Sequence, residues 1–347
     1  MISTKLISIL NKETFSKDEI VFLLSLSGNE EIGKLYLRAN DVRKEFCGDE
    51  VHLRGIIEFS NYCEQDCLYC GLRISNSGLT RYRMTKKEFL DTAEQIFKSD
   101  IKTIVLQSGE DSNFTAQDIS DLIKCIKDKY DVAITLSLGE RTFDEYIEWY
   151  NDGADRYLLK HETANPVLYS KIHNKQKLGE RIHHLQILKA IGYQVGSGNI
   201  IGLPGQTIED IADDILLCKN LECDMASFSP FIPSTGTPLC KVPKANVELT
   251  LKTMAVARIV LKDVHIPATT ALSCLIENGR EKGFMVGANV VMPNFTPNPF
   301  RQKYCIYDGK SSKVDSASSI GNLNAIIEGL GRKIANNKGH SIKFVQL

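Results

Sequence analysis

The sequence predicts an α/β protein: a (β/α)8 TIM barrel with an N-terminal helical extension. Three observations predict it. After Gly48, short β-rich runs alternate with helical runs nearly to the end of the chain. The β-rich runs number eight, the strand count of such a barrel. Polar residues gather at or just after the C-terminal ends of those runs, the face on which barrels build their sites.

Taken in order, the chain opens with two helical stretches near 17–26 and 29–46. Strands are expected at Leu53–Phe59, Thr103–Gln107, Val132–Ser137, Arg156–Lys160, Gln194–Ile201, Met225–Ser229, Ile266–Ala271 and Ala288–Met292, where β-branched and apolar residues run together. Helices are expected between them at 85–99, 116–128, 142–151, 178–191, 207–221 and 245–262. Thr207 is placed to cap its helix, with Glu209 and Asp210 in an acidic first turn. Gly153 and Gly192 stand where two helices should stop. The polar groups at strand ends are Ser60-Asn61, Gln107 to Glu110, Ser137 with Glu140, Lys160-His161-Glu162, Asn199, Ser229, Thr269-Thr270 and Asn294. Residues 305–322 are poor in apolar side chains and read as a loop before a last helix near 322–331. The expected division is therefore 1–48 as helical extension, 49–304 as barrel, and 305–347 as a loop and helix closing the barrel.

The chain has 347 residues, a net charge of −1 and no long basic run, which argues against nucleic acid or an anionic membrane as partner. The segment Met1 to Leu10 is too short and polar for a secretory core, and no run of about 18 apolar residues could span a bilayer. A cytoplasmic protein is expected. In that setting its ten cysteines are not a disulfide framework.

Three of the ten fall within eight residues. Cys63, Cys67 and Cys70 form CxxxCxxC just after the first expected strand. Three thiolates on one short loop can grip one face of an iron–sulfur cube and leave the fourth iron open, since such a cluster ordinarily takes four cysteines. A zinc site is the alternative. Zinc usually wants four ligands, often as two CxxC pairs. No second pair exists, and the nearest histidine, His52, would start the first strand.

CxxxCxxC with an aromatic residue, Tyr69, before the last cysteine resembles the radical SAM superfamily. The resemblance implies a [4Fe-4S] cluster on Cys63, Cys67 and Cys70 whose open iron chelates S-adenosylmethionine (SAM). It implies reductive cleavage of SAM to methionine and a 5′-deoxyadenosyl radical, inside a dry, walled pocket that confines so reactive a species. Ser108-Gly109-Glu110 is similar to the family's Gly-Gly-Glu motif, with Ser in first place. Glu162, after the fourth strand, is similar in position to the family residue that contacts the polar part of SAM, and Arg181 to the partner of its carboxylate. Gly196 to Thr207 reads as a strand, a Pro-Gly turn and a capped helix, and lacks the nucleotide-loop pattern. By resemblance it packs on the adenine. The implied cofactor-binding set is Tyr69, Gln107, Ser108, Gly109, Glu110, Ser137, Glu162, Arg181 and Leu203.

Longer runs narrow the resemblance. Glu58 to Asn61, Arg81 to Met84, Leu106 to Asp111, Thr135 to Glu140, Ala154 to Pro166, Ile266 to Thr270 and Gly287 to Asn294 are similar to the HydE family of [FeFe]-hydrogenase maturases, over about residues 48–304. This implies a role in assembling the di-iron part of the hydrogenase H-cluster, on a small organometallic substrate carrying iron, CO, cyanide and cysteine. It also implies companion maturases (a HydG-like donor and a HydF-like scaffold), a reducing electron donor and anaerobic conditions. By matching position, Thr135, Lys160, Met225, Thr269, Thr270 and Tyr304 would line the substrate cavity. Lys160 stands where an arginine is common, keeping the charge and losing the fork. Residues 306–347 hold no cysteine, so no accessory cluster is expected. The alternatives are a methylornithine synthase or biotin synthase-like enzyme acting on a small organic substrate, and a scaffold that carries a cluster without cleaving SAM.

Overall fold

The computed structural model describes residues 3–310 and 320–343. Ser311, Ser312, Ser316, Ser318 and Ser319, where an accessory cluster could have had ligands, lie outside them.

The expected alternation is present. Strands β1 (Glu50–Leu53) and β2 (Gly55–Ser60) follow the opening helices. Then come β3 (Thr103–Ser108), β4 (Ala133–Ser137), β5 (Arg156–Leu158), β6 (Gln194–Ile201), β7 (Met225–Pro230), β8 (Val290–Val291) and β9 (Lys333–Ile334). β2 to β7 form one parallel sheet in chain order. Met225 bridges to His265, Pro267 to Val290, and Ile56 to Asn294, while β8 pairs with β1. The pairing thus returns to the strand it began on.

Two expected strands are nearly lost in this return. Ile266–Ala271 contributes only bridges, because Pro267 lacks an amide donor and Thr269 caps a helix, Thr270–Leu275, accepting from Leu272 N at 3.2 Å. Ala288–Met292 shrinks to two residues before Pro293. The single strand expected at Leu53–Phe59 is two, β1 and β2, divided at Arg54, because its first half pairs with β8 and β9 and its second with β3.

Helices stop and start on local chemistry. Thr207 caps Ile208–Asn220 in a reciprocal box with Asp210, and Ser16, Thr85, Thr115 and Thr142 do the same with Glu19, Glu88, Asp118 and Glu145. Gly192 ends Leu178–Ile191 in a left-handed turn. The opening helices Thr4–Leu10, Lys17–Leu24 and Asn29–Cys47 pack outside the barrel. The helix Val247–Leu261 lies between them and β7, which explains why it is buried on every side. The last helix runs Ile320–Gly329, two residues earlier than expected.

The chain after it closes the N-terminal end of the ring. β9 adds to β1, and the tail places backbone carbonyls under two buried guanidiniums. Arg156 Nη2 donates to Lys338 O at 2.6 Å and Arg54 Nη2 to Gly339 O at 3.3 Å, while Thr103 Oγ1 donates to Lys338 O at 2.9 Å. Among the described residues no helix is long and apolar enough to cross a membrane.

Candidate functional site

At the opposite end, the loops after the strands enclose a cavity of about 390 Å³, within the range of a small-molecule site. The cysteine loop forms one side of it. That loop has little regular structure and is held by side chains. Arg81 gathers the carbonyls of Asn61, Leu72 and Arg73 at 2.6–2.8 Å. Arg73 pairs with Asp66, and that hydrogen bond holds the carboxyl down to about 2. Leu68 N and Gly71 N donate to Ile172 O and Ile306 O, both at 2.9 Å. After the loop, Arg83, bridged to Ser60, clasps Asp111 through two nitrogens at 2.7 and 2.8 Å and lies over the Tyr62 ring.

Gly109 fits under this loop because it has no side chain. A Cβ there would meet Tyr62 O at 2.2 Å and Cys63 Cβ at 2.7 Å. Burial is the largest influence on all three thiols and raises each of them, Cys70 to about 12. Cys67 and Cys70 are raised further by the charge of their neighbouring sulfurs, so the three lie within electrostatic reach of one another. Metal binding would displace those protons. Cys63 and Cys70 stand on the cavity wall. Cys67 does not, and faces His173, with Sγ 3.3 Å from Nδ1. Among the described residues no group of three His, Cys, Asp or Glu side chains gathers as a single ion would need. Two thiols on the wall of a roomy cavity, with a third within electrostatic reach of both, fit a cluster.

Of the other expected residues, Tyr69, Gln107, Ser108, Gly109, Ser137, Lys160, Glu162, Arg181, Met225, Thr269, Thr270 and Tyr304 line the same cavity. Lys160 Nζ and Glu162 Oε2 form an ion pair at 2.9 Å. Glu162 holds a left-handed backbone, φ 61°, fixed by hydrogen bonds of its N–H to Gly198 O and its carbonyl to Ile200 N. Beneath it, buried Asp214 accepts from Asn199 Nδ2 and Ala164 N, and His161 bonds Ser197 Oγ at 2.9 Å, as a core histidine does. Arg181 is a buried guanidinium rather than a surface one. Its Nε lies 2.7 Å from Glu140 Oε1, and Nη2 donates to Gln176 Oε1 at 2.9 Å. Burial works against its charge, but Tyr169, Glu140 and Glu110 outweigh that and hold the group protonated.

Three expected residues are not brought to the cavity. Thr135 lies below it, lining a void of about 10 Å³ with Arg54 and Arg156, because the Met225 side chain stands between. Leu203 is buried in a separate apolar cluster with Leu168, Ile172 and Phe231. The Glu110 side chain turns away to accept from Gln65 Nε2 at 2.6 Å, Gln176 Nε2 at 3.1 Å and Glu140 N at 3.1 Å. Burial raises its carboxyl.

Sequence reasoning missed several groups. Glu58 and Lys310 form a buried ion pair across the cavity, with Lys310 over the Tyr304 ring at 4.7 Å. A glutamate inside the apolar run Ile56-Ile57-Glu58-Phe59 was a visible signal for the first. His173 carried none.

The chain is similar to known proteins in sequence and fold. A model of the radical SAM superfamily matches residues 57–218. The [FeFe] hydrogenase maturase subunit HydE of Thermotoga maritima is 45% identical over 334 residues, covering 96% of both chains. The crystal structure of methylornithine synthase superposes with a TM-score of 0.85 at 25% identity, over 96% of this chain and 97% of that one. That of HydG, a maturase of the [FeFe]-hydrogenase, gives 0.83 at 19% identity, over 97% of this chain and 77% of the other, and so shares the fold.

Proposed function

The chain belongs to the HydE family of the radical SAM superfamily, and from that premise we propose that it acts in assembling the di-iron part of the [FeFe]-hydrogenase H-cluster. Its cofactors are a [4Fe-4S] cluster and SAM. The observation that carries the reading is one cavity edged by the cysteine loop on one side and by an embedded ion pair, Lys160–Glu162, on another.

Cys63, Cys67 and Cys70 would hold the cluster, leaving one iron corner for the amino and carboxylate groups of SAM. When bound, the cluster supplies the electron that splits SAM to methionine and a 5′-deoxyadenosyl radical. The chain's own part is binding and exclusion. Glu162 and Lys160 offer an acceptor and a cation side by side, suited to an amino acid's two charged ends. Arg181, held rigid by Glu140 and Gln176, keeps positive potential behind them. Ser108 and Gly109 bring backbone close to the cysteine loop. Tyr69 and Ser137 line the same wall, and the Gly202–Gln206 turn lies beyond β6.

The substrate end of the cavity is formed by Met225, Thr269, Thr270 and Tyr304, with Lys310 and Glu58 closing it. A compact iron complex carrying CO, cyanide and cysteine suits this mixture of soft, hydroxyl and cationic groups. Such a complex would come from a HydG-like maturase and pass to a HydF-like scaffold, in an anaerobic cytoplasm with a reducing electron donor.

Maturation of apo-hydrogenase with and without the protein tests the role, and 5′-deoxyadenosine release from reduced protein with SAM tests the chemistry. No hydrogenase activity gained, with SAM cleavage intact, would favour the second reading, a small organic substrate. The superposition on methylornithine synthase supports that reading, at 25% identity against 45% for HydE.

A further inference from the structure

We propose that His173 hydrogen-bonds the iron–sulfur cluster through Cys67 and so sets how readily the cluster accepts an electron. This rests on the reading that Cys63, Cys67 and Cys70 hold the cluster. His173 ends the helix Pro166–Ile172, its backbone N–H donating to Tyr169 O at 2.9 Å. Its ring stacks on Tyr169, with centroids 4.3 Å apart and planes 16° from parallel. The residue is 4% exposed. Helix end and stack together aim the two ring nitrogens. Nδ1 lies 3.3 Å from Cys67 Sγ, and Nε2 lies 3.4 Å from the Tyr69 hydroxyl.

Donor and acceptor inventories then assign the proton. A metal-bound thiolate has none and can only accept. The Tyr69 hydroxyl can donate to Nε2, which leaves Nδ1–H for the sulfur. If the imidazole were doubly protonated, Nδ1–H would still face the sulfur, and the hydroxyl would accept instead. In both of these states the sulfur receives one N–H bond from a buried ring. The Gln176 side chain also bonds the ring, and a neutral ring protonated only on Nε2 would give the sulfur none, an alternative that the nitrogen coupling and the redox midpoint separate.

Such a bond draws charge from the ligand. Reduction adds one electron from a low-potential donor, so the reduced cluster is the more negative state and gains more from the bond. Its potential therefore rises, as hydrogen bonds to cluster sulfurs generally make it do. Burial strengthens the effect. His173 acts through Cys67 and is a positioning residue. Cleavage of a sulfonium demands a strong reductant, and His173 moderates how strong the partner donor must be.

The native holoprotein gives the first test. Reduced protein made with ¹⁵N-histidine should show a histidine nitrogen coupled to the cluster in pulsed electron resonance. A cluster signal without that coupling overturns the proposal. In anaerobic redox titration, His173→Phe should shift the reduction equilibrium toward the oxidised form about tenfold, about 59 mV for a one-electron couple. His173→Gln, which keeps an N–H donor, should recover part of the shift. An iron-replete His173→Phe protein with the native midpoint also overturns it. If that variant takes up no iron, the labelled native protein decides alone. No cluster signal in the native protein would sink the parent reading, an outcome distinct from a cluster without the coupling.

Discussion

Gly109→Ala should unseat the cysteine loop. The added Cβ would lie 2.2 Å from Tyr62 O and 2.7 Å from Cys63 Cβ, neither of them the far end of a flexible side chain. Real Cβ contacts stay above 3.0 Å, so loop and strand must separate by about 0.8 Å in a close-packed region. Overpacking of this kind costs about 1–3 kcal/mol. The upper half of that range applies, because backbone resists on one side and a cluster ligand on the other. A loss of about 2–3 kcal/mol lowers Tm by about 3–4 °C in a chain of this size. Function should suffer more, since a misplacement near 1 Å can cost about 100-fold in rate. The assay is iron per chain after anaerobic reconstitution, followed by the rate of 5′-deoxyadenosine release. Gly179→Ala is the control: it lies in the helix Leu178–Ile191 with nothing within 4 Å of its added carbon. That change should stabilise slightly, by about 0.5–1 kcal/mol, as alanine does in a helix. If Gly109→Ala takes up full iron and cleaves SAM within twofold of native, the close fit is not what seats the cluster, and the reasoning fails.

Further expectations follow from neighbouring contacts. Arg181→Lys keeps the charge but loses the fork held by Glu140 and Gln176, so the KM for SAM should rise about tenfold, or about 1.4 kcal/mol, at unchanged iron content; an unchanged KM would remove Arg181 from the binding role. Arg156→Met strips buried donors from Lys338 O, Thr103 and Gln194, and thermal unfolding should show a loss of about 2–4 kcal/mol with SAM cleavage intact at low temperature. Stability should also fall in mild acid. Burial, then the charge of Arg54, holds His52 down to about 3, below its ordinary 6.5. Its contribution is complete above 6.5 and is lost as pH falls toward the folded value, on the order of 2 kcal/mol by pH 5. The gap between urea midpoints at pH 7 and 5 should narrow in His52→Gln without closing, because burial also holds His173, His265 and His340 down. An unaltered gap would remove His52 from the account. Cys305→Ser should still load about four irons per chain, because its sulfur donates to Gln302 O and only its backbone touches the motif, at Gly71.

What could be read without coordinates was what lies close in sequence. β3, β4, β6 and β7 stand within a residue of their expected bounds, β3 and β4 because each is a largely apolar run and all four because turn residues flank them. The cysteine loop announced itself by crowding three ligands into one loop. The failures share a cause. Ile266–Ala271 has strand composition, but Thr269 finds the amide of Leu272 and begins a helix, a capping choice that strand propensity does not register. Leu203 and Thr135 sit on the expected elements yet do not line the cavity, and which side of a turn or ladder meets it is decided by packing. The Glu58–Lys310 pair joins residues 252 apart, and His173 meets Cys67 across 106, so neither has a local signal. The Thr207 cap, by contrast, was legible, and the structure shows the same Ser/Thr-x-x-Asp/Glu box at four further helix starts.

The floor of the barrel has a consequence for how the molecule comes to exist. Arg54, in the first turn of the ring, is answered by Gly339, 285 residues later. Separations of that size make closure slow, and on the ribosome the earliest strand must wait until residue 339 has emerged. Until then two cations lack their carbonyls and the nascent ring stays open at its base. Iron would therefore be best delivered after this segment has docked, and a stalled or clipped product ending before it would be a leaky vessel for radical chemistry.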